Sequence, residues 1–192
     1  MAGALLIALI LTVATVFVWR VLDGGGRAAA RDATAGVFAA AYVPFLASFA
    51  VLILRHENHG ALLTVTFILM VVGNDTGGYI AGVLFGKHKL APTISPGKTW
   101  EGLVGSLILS LAVAFVMLVV VIGAHWTAAV VLGVLTVITA TTGDLSESLI
   151  KRDLGLKDFG SVLPGHGGIL DRLDSMLVTA PACYAVFTVA VT

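Results

Sequence analysis

Charge is what this sequence has least of. Only 11% of its 192 residues are Asp, Glu, Lys or Arg, against roughly a quarter in soluble domains. The scarcity excludes a water-soluble domain, because one core of this size could not hide the 58% of residues that are hydrophobic. Cysteine occurs once, at Cys183, so no internal disulfide staples the chain. In its apolar run Cys183 reads as a small lipid-facing or core residue. An excess of either sign of charge is also missing: 11 basic and 11 acidic side chains cancel formally, which removes bulk attraction to nucleic acid. There is no internal repeat, low-complexity segment or linker, and a single domain over residues 1–192 accounts for the chain.

What is present in their place is apolar sequence in runs near the length, about 20 residues, that crosses hydrocarbon. They are Ala2–Trp19, Thr34–Leu54, Ala61–Phe85, Leu103–Ile122, Thr127–Thr142 and Ser175–Val191. The first lacks a basic leading region and a clear small-residue cleavage site, so it reads as a true span and not as a signal peptide. The fifth is short, but its helical pattern runs on past Asp144 toward Lys151. The expected fold is all-α: a polytopic integral membrane protein with about six transmembrane helices.

The basic residues set the expected orientation. Arg20, Arg27 and Arg31 fall in the first loop, Lys87, Lys89 and Lys98 in the third, and Lys151, Arg152, Lys157 and Arg172 in the fifth; Arg55 alone falls in an even-numbered loop. Ten of eleven on one side predicts that side to be cytoplasmic in a cell (plasma or inner) membrane, with both termini outward. The two longest polar loops then share the compartment that supplies nucleotides and Mg²⁺.

Eight of the eleven carboxylates lie in or beside two segments. Charge kept near a membrane is costly, which invites a functional reading of both. In the first, Asp75 interrupts an apolar run between Gly73, Gly77 and Gly78, which permit close helix approach or a broken helix. A bond from Asp75 to a neighbouring helix would be the structural alternative. The turn Ser95-Pro96-Gly97-Lys98-Thr99 precedes a helix starting near Trp100 and offers amides, hydroxyls and a cation to a phosphate. It lacks P-loop spacing, and on the residues alone an ordinary capped helix start explains it equally well.

In the second segment Asp144, Glu147, Ser148 and Lys151 are spaced i, i+3, i+4, i+7, one face of a helix, and Asp171 and Asp174 repeat the i, i+3 interval. Pro164-Gly165-His166-Gly167-Gly168 lies between them. Two acid-bearing helix ends joined by a cationic loop suit a hard divalent ion such as Mg²⁺, which takes a few carboxylates plus substrate phosphates. Lys151, Arg152, Lys157 and Arg172 would neutralise a polyphosphate around it. The bland counterpart is a solvated loop drawn to anionic lipid. His56, His59 and His125 read as solvated outer-loop residues, and His88 and His166 lie among the cations, His166 serving either a phosphate or loop packing.

The run Ser148-x-x-Lys151-Arg152-x4-Lys157-Asp158-x5-Pro164-x-His166-Gly167-Gly168-x-x-Asp171-Arg172-x-Asp174 resembles the signature of the phosphatidate cytidylyltransferases, the CDP-diacylglycerol synthases. Asp75-Thr76-Gly77-Gly78-Tyr79, Ile94 to Gly102 and Asp144-Leu145-x-Glu147-Ser148 resemble the family too, in order, so that the likeness covers about Val72 to the C-terminus. It implies an all-helical membrane fold, commonly a homodimer, that transfers CMP from CTP to phosphatidic acid in phospholipid biosynthesis and releases pyrophosphate. Carried over, it implies that Asp144 and Asp171 hold Mg²⁺, with a monovalent cation as a candidate companion. Lys151, Arg152, Lys157 and Arg172 would contact phosphates, Glu147, Ser148, His166 and Asp174 would shape the same pocket, and Asp75, Ser95, Lys98 and Thr99 would line its nucleotide or lipid-phosphate side.

Two departures stand out. Members usually carry further transmembrane helices before the first one here, which implies a chain without the family's first spans, and Val83 stands where many members have a basic residue. Three rival functions remain at this level: a CTP-dependent polyprenol or phytol kinase, an ion-coupled transporter using Asp75 and Asp144, and an inactive truncated paralogue. The transporter is disfavoured by the missing repeat and by charges gathered at one interface.

Overall fold

In the computed structural model the described residues are 2–24, 26, 28–155 and 170–191, with backbone alone at 2 and 170–172. Helix α1 runs Ala2–Leu22, α2 Ala29–Ala40 and α3 Leu46–Leu54, the last two joined through a π-helical turn at Ala41–Phe45. The turn contains Pro44, whose missing N–H and bulky ring would break the hydrogen-bond ladder of a regular helix; widening the turn accommodates it. Helix α4 spans Gly60–Phe85, α5 Trp100–Ala114 with a π-helical extension over Phe115–Ile122, α6 Trp126–Asp153 and α7 Leu170–Ala190. Among the described residues six helical stretches are long and apolar enough to cross a membrane: Gly3–Leu22, Ala29–Leu54, Gly60–Phe85, Trp100–Ile122, Trp126–Asp153 and Leu173–Ala190.

The polytopic helical fold expected from hydropathy is therefore present, and the fifth span does run through Asp144 to Asp153. Two local expectations need correction. The second span starts at Ala29 instead of Thr34, because Ala-rich sequence carries the helix beyond the apolar run. The stretch Ser95–Thr99, read as a turn, is strand β2, paired antiparallel with β1 at Lys89–Ala91. Short strands with Pro and Gly give no alternating pattern, so only tertiary pairing reveals them.

Helices α3 to α7 form the bundle. Its core gathers Ile53, Leu63, Phe67, Met70, Leu118, Leu132, Cys183 and Phe187, all buried, which places Cys183 among core residues. At the other end of α4 the packing residues become glycine. A Cβ on Gly77 would lie 2.5 Å from the Gly105 carbonyl oxygen, so α4 and α5 approach backbone to backbone, as small residues allow in lipid. Helix α4 is continuous through Asp75, and close approach, not a break, is what its glycines serve. Gly143 does the same for α6 and α7, where a Cβ would stand 2.6 Å from the Asp174 carbonyl oxygen. The large apolar side chains left exposed on α1, such as Ile7, Leu11, Phe17 and Trp19, face the hydrocarbon that composition demands.

Candidate active site

The glycine contacts open a cavity of about 280 Å³ at the polar end of the bundle, bounded by α4, the hairpin, α5 and α6. Its walls carry Asn74, Asp75, Lys98, Thr99, Ser106 and Asp144. Each arrives by an identifiable local cause.

Thr99 is the N-cap of α5: its hydroxyl oxygen accepts the Gly102 N–H at 3.1 Å, relieving one of the unpaired donors of the first helical turn. The capped helix start is therefore present, and the same residue also lines the cavity. Lys98 precedes the cap inside a β-bulge. Lys89 pairs with Thr99 and Ala91 with Ser95, so one residue, Leu90, faces three, Pro96, Gly97 and Lys98. Pro96 lacks the donor a regular ladder would need, and the extra residues re-aim the strand. Lys98 consequently lines the cavity, where its Nζ forms an ion pair with Asp144 Oδ2.

Asp144 comes from α6, one turn after Thr141, which lines the same wall. Asp75 is exposed to the cavity from α4, where its Oδ1 accepts a 3.0 Å hydrogen bond from Asn74 Nδ2, and it lies within electrostatic reach of Asp144, Asp174 and Lys98. The Asn74 backbone carbonyl receives the Ser106 hydroxyl at 2.6 Å, which ties the α4 wall to the α5 wall. Asn74 is 5% exposed, and its Oδ1 has no hydrogen-bond partner among the described residues. Sequence reasoning passed over Asn74 and Ser106 as site residues. Only the interval of small residues Gly102, Gly105 and Ser106 signalled that α5 would press its polar face on α4.

The remaining expected site residues divide. Glu147 is buried and forms an ion pair with Lys151 at 3.1 Å, one turn beyond Asp144 on α6. Asp174 is buried against Gly143, its Oδ1 accepting from the Ser175 N–H at 2.6 Å and from the Ser175 hydroxyl at 3.2 Å. Tyr42, not foreseen, lies within electrostatic reach of Asp174, Glu147 and Asp144 from the π-helical turn. Ser148 is half-buried, and Arg152 is exposed in the last turn of α6. Ser95 is half-buried in β2 and stands outside the cavity wall. Lys157 and His166 lie outside the described residues, as do the side chains of Asp171 and Arg172. The structure thus brings Asp75, Lys98, Thr99 and Asp144 together on the cavity wall, while Glu147, Lys151 and Asp174 stand outside it.

The sequence itself is matched among known proteins. The model of the cytidylyltransferase family matches residues 2–190. The chain belongs to the cytidylyltransferase family. Within it, the chain is 45% identical over 157 residues to the phosphatidate cytidylyltransferase of Mycobacterium bovis, covering 82% of this chain and 51% of that protein. The enzyme of the same name from Mycobacterium leprae is 46% identical over 158 residues, 82% of this chain and 50% of the relative. That from Haemophilus influenzae is 41% identical over 148 residues, with coverages of 72% and 51%. The chain spans about half the length of the curated relatives it matches. The family assignment covers the helices from α1 onward, farther toward the N-terminus than the motifs alone reach.

Asp75 and Asp144 offer the oxygen donors that a hard divalent cation takes, and the open cavity beside Lys98 leaves room for the phosphates that would complete its shell. Among the described residues no three His, Cys, Asp or Glu side chains converge, so any metal held here depends on substrate oxygens or on residues outside that set.

Proposed function

We propose that this chain transfers CMP from CTP to phosphatidic acid, giving CDP-diacylglycerol and pyrophosphate, and that the cavity between α4, the hairpin and α6 is where it does so. The observation that carries this is the Lys98–Asp144 pair facing Asp75 at the polar end of a membrane bundle, in a chain whose relatives are phosphatidate cytidylyltransferases.

The reaction's difficulty is charge. A phosphate oxygen of phosphatidic acid attacks the α-phosphorus of CTP, a new P–O bond forms, and the bond to the β-phosphate breaks to release pyrophosphate. The attacking oxygen is already ionised at neutral pH, so no side chain need remove a proton, and none is assigned as a base. Two anions must nevertheless be brought together, which requires cations fixed in advance. Lys98, held by the bulge and by Asp144, is such a cation. An arriving phosphate competes with Asp144 for its ammonium group and needs no rearrangement of the backbone. Asp75 and Asp144, with Asp171 from the start of α7, would hold Mg²⁺, which when bound draws charge from the phosphates. Lys151, Arg152, Lys157 and Arg172 would neutralise the charge of the departing pyrophosphate. Asp174, whose backbone carbonyl packs against Gly143, would shape the same pocket.

The distribution of Lys and Arg favours a cytoplasmic mouth in the cell membrane, where a soluble nucleotide meets a lipid. Association as a homodimer belongs to the same reading. The test uses the full chain in mixed micelles with phosphatidic acid, Mg²⁺ and CTP labelled at the α-phosphate. Label entering lipid only when Mg²⁺ is present is the expected result. Label entering polyprenol from γ-labelled CTP, with none entering lipid from the α-position, would replace the proposal with a kinase.

A further inference from the structure

We propose that Glu101 is a positioning residue: by clamping His88 it holds the β1–β2 hairpin so that Lys98 stays in the cavity. The inference rests on the functional reading given above and adds a residue that acts through another.

The clamp is made of four contacts at one joint. His88 Nδ1 lies 2.6 Å from Glu101 Oε1. The His88 backbone N–H donates to both carboxylate oxygens, at 3.3 and 3.2 Å, and the His88 carbonyl accepts the Trp100 N–H at 3.0 Å. The residue just ahead of β1 is therefore tied through ring, N–H and carbonyl to the first turn of α5. Glu101 is well placed for this, since a carboxylate in the first helical turn meets the positive end of the helix dipole. Neither residue lines the cavity, and the His88 side chain is 78% exposed, so the pair does not meet substrate there.

The consequence reaches Lys98 through the register. The hairpin leaves α4 at Gly86, whose N–H still bonds the Gly82 carbonyl, and rejoins helix at Trp100. Lys89 pairs with Thr99, immediately inside the clamp. The next residue on β2 is Lys98, in a bulge with no pairing of its own, so its backbone is located by the Lys89–Thr99 pair and by the His88–Glu101 joint one step outside it. A two-stranded ribbon by itself is marginally stable. Without the carboxylate the ribbon would be located only by the Trp100–His88 backbone bond, the Lys89–Thr99 pair and the bond from Lys98 to Asp144.

The test compares the full-length chain with Glu101→Ala, Glu101→Gln, Lys98→Ala and the double variant Glu101→Ala/Lys98→Ala in lipid vesicles. Amide hydrogen exchange and CMP transfer are read on the same samples. In Glu101→Ala the amides of residues 87–99 are expected to exchange about tenfold faster or more while α4 and α6 keep their protection. Transfer falls about tenfold, and the double variant is no slower than Lys98→Ala alone, because both changes remove one function. Glu101→Gln, which keeps an oxygen for the His88 N–H, regains much of both. Unchanged exchange in the hairpin overturns the clamp, and so do losses that multiply in the double variant. If the parent chain transfers no CMP, the proposed activity falls, whereas the exchange measurement still decides whether Glu101 holds the hairpin.

Discussion

Along α4, the first half buries Leu63, Phe67, Met70 and Val71, while the second half presents Gly73, Asn74, Asp75, Gly77 and Gly78. The partners change in step. The first half packs with Leu118, Leu132 and Phe187, and the second with Gly105, Ser106 and the hairpin. In the apolar half, side-chain volume holds the helices together. In the polar half, backbones meet directly, and the space that large side chains would fill is left as the cavity. The same helices therefore supply a stable end and a chemical end, and the difference teaches that glycine here makes room as well as contact.

That division can be broken at chosen points. The largest effect is expected from Lys98→Ala or Asp144→Asn, each lowering CMP transfer by about a hundredfold or more, as loss of fixed transition-state charge does. Thermal unfolding in detergent should be nearly unchanged for both, since the pair is only partly buried and such pairs add little to stability. Next, Phe187→Ala, which empties a buried site in the apolar half, should cost about 3 kcal/mol of stability. Its turnover per folded molecule, measured below the melting transition, should match the parent. Gly77→Val should cost about 2 kcal/mol by overpacking against the Gly105 carbonyl. Unlike Phe187→Ala, it should also lower transfer, because it moves a cavity wall. The smallest change is expected from Thr99→Ala, with loss of about 1 kcal/mol from the α5 cap, read as a lower melting temperature.

The six spans were legible in the sequence because hydrocarbon imposes a length and a composition on every helix that crosses it. The continuation of α6 through Asp144 was legible for a related reason: Asp144, Glu147, Ser148 and Lys151 keep helical spacing after the apolar run ends. The glycines flanking Asp75 announced close approach, although a broken helix fitted them equally until α4 proved continuous. Much less of the cavity could be read. Lys98 and Asp144 meet across two helices and a bulge, and no local pattern in Ser95–Thr99 distinguishes a strand from a turn. Glu101 stood in plain view within a recognised segment, but its link to His88 depends on the hairpin folding back on α5. Asn74 was hidden by its neighbours, since one apolar run interrupted by three adjacent polar residues does not say which of them a partner helix will bury. Ser95 and Arg152 show the converse: presence in a motif did not place either residue on the cavity wall.

The central claim is that the polar end of the bundle performs CMP transfer while the apolar end only supports it. The most direct measurement is the initial rate of label transfer from α-labelled CTP to phosphatidic acid by the parent, Asp144→Asn and Phe187→Ala, each normalised to folded protein in the same vesicles. The account predicts transfer by the parent and by Phe187→Ala, and a rate for Asp144→Asn lower by about a hundredfold or more. Transfer by Asp144→Asn at the parent's rate would contradict it.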